Sequence, residues 1–328
     1  MSNYWKDKKV LVTGGGGFIG SHLCEELVQR GAKVISGDLS IGHLKESPLK
    51  NKIKFLKINF FKNTQCLQKI KNFDIVMHLA AKVGGIGYNL KYMSDIYIDN
   101  LLILSNIVKA ISTNKIKNVL LVSSACVYPR NSIIPTPETE GFKDIPEETN
   151  EGYGWAKRAL EIAGKMLRRQ YGTNVAIVRP YNAYGPRDKF DLEQAHVIPA
   201  LINKVFNTKT GEIEVLGSGK QTRSFLYVKD AVSGMLLSME KYPVADAVNL
   251  GSDEEITIED LVKMIIKLSG RDVKIKYNKN APEGYKRRCA DITKAKEKLD
   301  FKNMWKLEQG LKETIKYYKT TFLKENEK

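Results

Sequence analysis

The chain has 328 residues, 42% of them hydrophobic and 27% charged, with a formal net charge of +16. That apolar fraction is ample for a packed core and excludes a disordered or fibrous polymer. The 53 Lys and Arg residues, of which 11 are Arg, spread along the whole chain without a basic tail or interleaved aromatics, so nucleic acid is not an expected partner and a smaller anion such as a nucleotide diphosphate suits the charge as well. No apolar stretch approaches the roughly 20 residues needed to span a bilayer. The N-terminus MSNYWKDKKVLVTGG lacks an apolar run ending at small residues, so a cytoplasmic protein without a membrane partner is expected. Cys24, Cys66, Cys126 and Cys289 are widely separated and form no CxxC, which suggests neither a metal site nor a disulfide framework.

Taken in chain order, Lys9–Thr13 (KVLVT), Lys33–Gly37, Ile53–Ile58, Asp74–Leu79, Asn118–Ser123 and Asn174–Arg179 read as strands. Their continuous apolar character suits a sheet covered on both faces. Helical patterns lie between them, for example at Ser21–Arg30 and Tyr97–Thr113. Repeated βα units with short connections predict an α/β fold with a doubly wound parallel sheet. After Arg179 the pattern becomes irregular, with helices expected at Val197–Phe206, Ile258–Leu268 and Leu307–Lys319. Phe225–Leu250 reads as strand, helix and strand returning to the first unit. The expected division is a dinucleotide-binding domain of 1–178 plus about 224–250, and a smaller, discontinuous α/β substrate lobe of 179–223 plus 251–328.

The first strand runs straight into Gly14-Gly15-Gly16-Gly17-Phe18-Ile19-Gly20, and a helix opens immediately after it. Gly14, Gly17 and Gly20 are the fixed points of G-x-x-G-x-x-G. Glycine there permits a tight turn, close approach of backbone N–H groups to a pyrophosphate, and packing of helix on strand, in the manner of the Rossmann fold. Phe18 and Ile19 open the helix whose positive end would face the phosphates. Asp38 ends the second strand, 18 positions after Gly20. A carboxylate there accepts from both ribose hydroxyls and repels a 2′-phosphate. No Arg follows in SGDLSIGHL, so the expected cofactor is NAD and not NADP.

Tyr153-Gly-Trp-Ala-Lys157 places a phenol and an amine four apart, on one helical face. A phenol of ordinary pKa near 10 is a poor base at neutral pH. An adjacent ammonium, together with the positive nicotinamide ring, would stabilise phenolate, and tyrosine could then take a hydroxyl proton while hydride leaves the same carbon.

TGGGGFIG, HLAA (His78–Ala81), SSACVYP (Ser123–Pro129), YGWAK, RPYNAYGP (Arg179–Pro186) and QTRSFLYVKD (Gln221–Asp230) together resemble the extended short-chain dehydrogenase/reductase family, which acts on nucleotide sugars. The resemblance covers essentially the whole chain. It implies that Ser124 holds the sugar hydroxyl and that Tyr153 and Lys157 form the oxidising pair. Ala125 and Cys126 stand where nucleotide-sugar dehydratases carry an acid pair, so dehydration is not expected. A cysteine before V-Y-P is instead similar to the GDP-mannose 3,5-epimerase and GDP-L-fucose synthase groups, as is the glycine-rich loop AAKVGGIGYN with Gly84 and Gly85. The resemblance implies Cys126 and His196 as paired acid/base groups for carbon-bound protons. It further implies Asn182, Arg223 and Arg288 as substrate contacts, the arginines suiting bidentate binding of a diphosphate. His78 reads as structural.

The activity expected is NAD-dependent epimerisation of a nucleotide sugar, GDP-linked by resemblance, through a 4-keto intermediate. A 4-keto-sugar epimerase/reductase, a C4-only epimerase and a silent NAD-binding protein are the alternatives. The family also implies a homodimer formed through the helices around Tyr97–Thr113 and Tyr153–Gln170.

Overall fold

A computed structural model describes residues 3–278 and 286–323. In chain order its strands are β1 (Lys9–Thr13), β2 (Lys33–Asp38), β3 (Lys54–Lys57), β4 (Ile75–His78), β5 (Asn118–Val122), β6 (Asn174–Pro180), β7 (Ala183–Tyr184), β8 (Glu212–Leu216), β9 (Thr222–Ser224), β10 (Leu226–Tyr227), β11 (Val244–Leu250), β12 (Glu255–Thr257), β13 (Lys274–Asn278) and β14 (Arg287–Arg288). The helices are α1 (Phe18–Gln29), α2 (Asn63–Lys69), α3 (Ile86–Lys91), α4 (Met93–Thr113), α5 (Glu151–Tyr171), α6 (Val197–Asn207), α7 (Val228–Lys241), α8 (Ile258–Ser269), α9 (Thr293–Leu299) and α10 (Leu307–Tyr318).

Seven parallel strands form the main sheet in the order β11-β6-β5-β4-β1-β2-β3. The strand order reverses between β1 and β4, and the crevice at their C-terminal ends is where such sheets take ligands. The two-residue period of β1 explains the two-sided burial. Val10 and Val12 point into one core with Leu23 and Leu27 of α1 and Met235 of α7. Leu11 points the opposite way, into a second core with Ile107 of α4 and Leu160 and Leu167 of α5. As expected from Phe225–Leu250, β10, α7 and β11 follow one another, and β11 adds to the sheet beside β6.

A third core joins Ile198 and Ile202 of α6, Leu261 and Ile265 of α8, and Leu311 and Ile315 of α10. The parallel pair β8–β13 and the small sheet β12-β9-β14 belong to this side of the molecule. α9 packs differently: Ala295 and Leu299 sit in the core shared with β1 and α7.

One expectation is corrected. By length and composition α4 is long and apolar enough to cross a membrane. Here it lies along the sheet, with Ile96, Asn100, Ile103, Leu104 and Ile107 buried. The buried Asn100 donates to the carbonyls of Ile96 and Lys82, a polar role typical of a core helix.

Candidate active site

The glycine loop is built as a cradle. Gly14 has φ +71°, and a Cβ on it would lie 2.9 Å from the Ala80 amide nitrogen on β4's loop. A Cβ on Gly20 would collide with the Gly14 carbonyl, so both positions require glycine. Gly17 caps α1 and donates its N–H to the Gly14 carbonyl at 3.1 Å. Phe18, Ile19 and Gly20 form the first helical turn, whose amides have no intrahelical acceptor and point toward the crevice end of β1. Asp38 stands opposite: its Oδ2 accepts the Gly16 N–H at 3.0 Å and its Oδ1 the Leu39 N–H at 2.7 Å. Burial pushes this carboxyl up and the backbone donors pull it back. A left-handed glycine, a space a Cβ would fill, a helix start and a carboxylate at the end of β2 fit the pyrophosphate and adenosine ribose of NAD.

The opposite wall of the crevice comes from α5 and the end of β5. Gly154 allows α5 to press on the turn after β5, where a Cβ would strike the Cys126 carbonyl. Ser124 caps that turn, its Oγ accepting the Cys126 N–H at 3.1 Å. Tyr153 and Lys157 share one face of α5, with the Lys157 Nζ 5.4 Å from the phenol ring centroid. Lys157 donates to the Val122 carbonyl at 2.7 Å. Burial pulls its ammonium down to about 8. Burial also pushes the Tyr153 phenol well above its ordinary value, and the nearby Cys126 adds to this. Burial thus opposes phenolate here, and the positive nicotinamide ring expected beside the phenol favours it.

Both ends of the Ser124–Cys126 turn are pinned by residues the sequence reading did not single out. Arg158 donates to the Val127 carbonyl at 3.0 and 2.7 Å. Glu161 accepts from Ser123 at 2.6 Å and pairs twice with Arg179, at 2.8 and 2.7 Å. Arg179 in turn donates to the Tyr128 hydroxyl at 2.8 Å. A buried acid one helical turn after Lys157 was the available signal, but its partner lies on β6. His78 is structural in this arrangement. Thr13 Oγ1 lies 2.8 Å from its Nδ1 and also accepts the amides of Leu79 and Ala80. The hydroxyl therefore donates to Nδ1, and burial holds the imidazole down at about 3.

The residues expected on the sugar side come from several segments. Gly84 is buried, and Gly85 caps α3, where a Cβ would lie 3.1 Å from the Ala195 carbonyl. Lys189 reaches the Val83 carbonyl at 3.3 Å, so the glycine-rich loop and the segment leading to His196 lie side by side. His196 caps α6 with its side chain 56% exposed. Asn182 has φ +39° and donates to the Ser224 carbonyl at 2.8 Å, holding β7's approach against β9. Arg223 and Arg288 are paired residues of neighbouring parallel strands. Arg287, one position earlier, is occupied by Glu255 at 2.9 and 2.6 Å. Arg288 lines a pocket with Tyr128, Arg130 and Tyr181. Among the described residues no group of three His, Cys, Asp or Glu side chains could hold a metal ion.

The chain is 32% identical to a dTDP-4-dehydro-6-deoxy-D-allose reductase of Streptomyces sp, over 96% of this chain and 97% of that protein. It is also 32% identical to GDP-mannose 3,5-epimerase 1 of Oryza sativa subsp. indica, over 98% of this chain and 85% of that protein. Among solved structures it resembles UDP-N-acetylglucosamine 4-epimerase from Methanobrevibacter ruminantium M1, in complex with UDP-N-acetylmuramic acid. That likeness has a TM-score of 0.86 and 30% identity, covering 97% of this chain and 100% of the other. The family model for the NAD-dependent epimerases and dehydratases matches residues 10–251. The chain belongs to the NAD-dependent epimerase/dehydratase family and is an NAD-dependent enzyme of the nucleotide-sugar epimerase and reductase type.

Proposed function

We propose that the protein epimerises a GDP-linked sugar through a transient 4-keto intermediate, exchanging protons at C3, C5 or both. The observation that carries this reading is a half-buried thiol, Cys126, on the same turn as Ser124, packed against the helix that carries Tyr153 and Lys157. A simple C4 inversion has no use for a thiol there.

In this reading Ser124 holds the C4 hydroxyl and Tyr153 takes its proton, while Lys157 supplies positive charge to the phenolate. Held by the Gly14–Gly20 loop and Asp38, NAD would supply reversible hydride acceptance at C4 and a positive ring beside the buried Tyr153. The 4-keto group acidifies the hydrogens at C3 and C5. Cys126 and His196 then remove and replace protons on opposite faces. Gly84 and Gly85 belong to the loop that meets the sugar, Arg223 and Arg288 hold the nucleotide diphosphate, and Asn182 contacts a substrate phosphate or the sugar. The chain is read as two lobes, 1–178 with about 224–250 and 179–223 with 251–328. The four free thiols suit the reducing cytoplasm.

The same reading includes a homodimer. Tyr97, Ile98 and Leu102 of α4 and Trp155, Ile162 and Met166 of α5 are exposed apolar side chains on adjacent helices, a patch that a second copy would cover. Light scattering at micromolar concentration should give twice the chain mass.

A reductase acting on a 4-keto sugar nucleotide is the second reading, favoured by the similarity to the dTDP-keto-sugar reductase. Mass spectrometry of ligands carried through purification, followed by incubation with GDP-mannose and with a dTDP-4-keto-6-deoxy sugar, separates the two. Epimers formed without net NADH consumption support the proposal. Stoichiometric NADH consumption supports the reductase.

A further inference from the structure

We infer that Asp188 is a positioning residue for His196. It accepts the Nδ1–H of that imidazole and so presents Nε2 to the sugar. The inference rests on the reading of His196 as one of the two acid/base groups.

The Asp188 side chain is 4% exposed. Its Oδ1 accepts the Lys189 N–H at 2.8 Å, while its Oδ2 is buried with no hydrogen-bond partner. Leaving a carboxylate oxygen buried without a donor is costly, so the position calls for an incoming N–H or O–H. His196 Nδ1 stands 4.0 Å from Oδ1, short of a hydrogen bond. Its side chain is half exposed and makes no capping hydrogen bond, so it has room to turn onto the carboxylate.

The two groups differ in how they are held, and in the direction this role needs. Arg187, adjacent to Asp188, is tied to α1 by Glu25 at 2.8 Å and Ser21 at 3.3 Å. Two residues on, Phe190 is buried in a cluster of rings with Tyr318 and Phe322. The carboxylate is therefore held on a pinned stretch of the loop, while the imidazole at its far end is a half-exposed side chain. The other charged groups facing this pair are already engaged or lie apart from it. Arg187 is paired with Glu25, and Lys189 is bound to the carbonyl of Val83 and the side chain of Gln194. His43, from the turn at Gly42–Glu46, feels Asp188 electrostatically, but burial and Arg187 hold its imidazole down.

A carboxylate at Nδ1 fixes which ring nitrogen carries the proton. The Nδ1–H stays in place while Nε2 takes a proton from one carbon face or returns it. Without this contact the ring would be free to present the wrong tautomer or turn away.

The test is nitrogen-15 NMR of histidine-labelled, NAD-loaded protein above the imidazole titration range, with His196→Asn identifying the signals. The unchanged protein should show His196 mainly as the Nδ1–H tautomer, and Asp188→Asn should shift it toward Nε2–H. An identical tautomer in both proteins would overturn the inference. With GDP-mannose as probe, Asp188→Asn should slow solvent deuterium uptake into the sugar by at least about tenfold. The double variant should be no slower than His196→Asn alone. Losses that add would mean that Asp188 acts elsewhere. Normal deuterium uptake by His196→Asn would instead defeat the reading of His196 itself, whatever the tautomer. NAD affinity should match the unchanged protein in every variant, as a check on folding.

Discussion

The two walls of the candidate site are built on different terms. On one side Tyr153 is 9% and Lys157 4% exposed, and the turn between Ser123 and Tyr128 is anchored at both ends by α5 and β6. On the other side His196 is 56% exposed, and its Nδ1 stands 4.0 Å from Asp188 Oδ1. In the proposed mechanism the first wall is the one that removes hydride from a fixed carbon. In the same mechanism the second wall supplies His196 for proton transfer at carbon. Rigid placement costs adaptability, so oxidation and proton transfer are reasonably assigned to walls of different stiffness.

The comparison can be broken most severely at the rigid wall. Tyr153→Phe should leave NAD binding intact and lower turnover by roughly 10²–10⁴-fold. Near-normal turnover would remove Tyr153 from the mechanism. At the open wall, His196→Asn should reduce solvent exchange at carbon by about 10²-fold while transient NADH still forms. Cys126→Ser should behave likewise. If NADH formation also disappears, the two walls do not divide the chemistry as described.

A smaller effect is expected in pH dependence. Burial lowers Lys157 to about 8, so its ammonium is lost above that value. Turnover that depends on the charge should fall about tenfold for each pH unit beyond it. A flat profile to pH 10 would show that the charge is not needed. Asp38→Ala should narrow the preference for NAD over NADP by about tenfold, readable by calorimetry. Equal affinity for both dinucleotides in the unchanged protein would contradict the role of Asp38.

The smallest effect concerns stability. His78 stays neutral in the folded protein down to about pH 3, against an ordinary value of 6.5. Between those values the unfolded chain binds more protons, so this contribution is complete above pH 6.5 and is lost as pH falls toward 3. His78→Gln should therefore flatten the acid limb of denaturant stability between pH 6.5 and 4. An unchanged slope would assign the acid sensitivity to other groups.

What could be read in the sequence was local. The glycine loop follows β1 without a gap, and Tyr153 and Lys157 are separated by one helical turn, so spacing alone placed them. β11 was anticipated as a returning strand because Phe225–Leu250 carries its own strand, helix and strand pattern. The alignment of Arg223 with Arg288 arises from a strand pairing across 65 positions, which no local pattern encodes. Glu161 finds Arg179 on another element, and Asp188 nears His196 only because their loop folds back on itself. The balance at Tyr153 was also beyond spacing arguments. It turns on how completely the pair is buried, a property of the packed core.

Deuterium incorporation tests the central claim most directly. The NAD-loaded protein would be incubated with GDP-mannose in D2O, and the recovered sugar nucleotide examined by mass spectrometry and proton NMR. Epimers bearing deuterium at C3, C5 or both are expected, with no net NADH change. Epimers free of carbon-bound deuterium would contradict it and leave inversion at C4 alone.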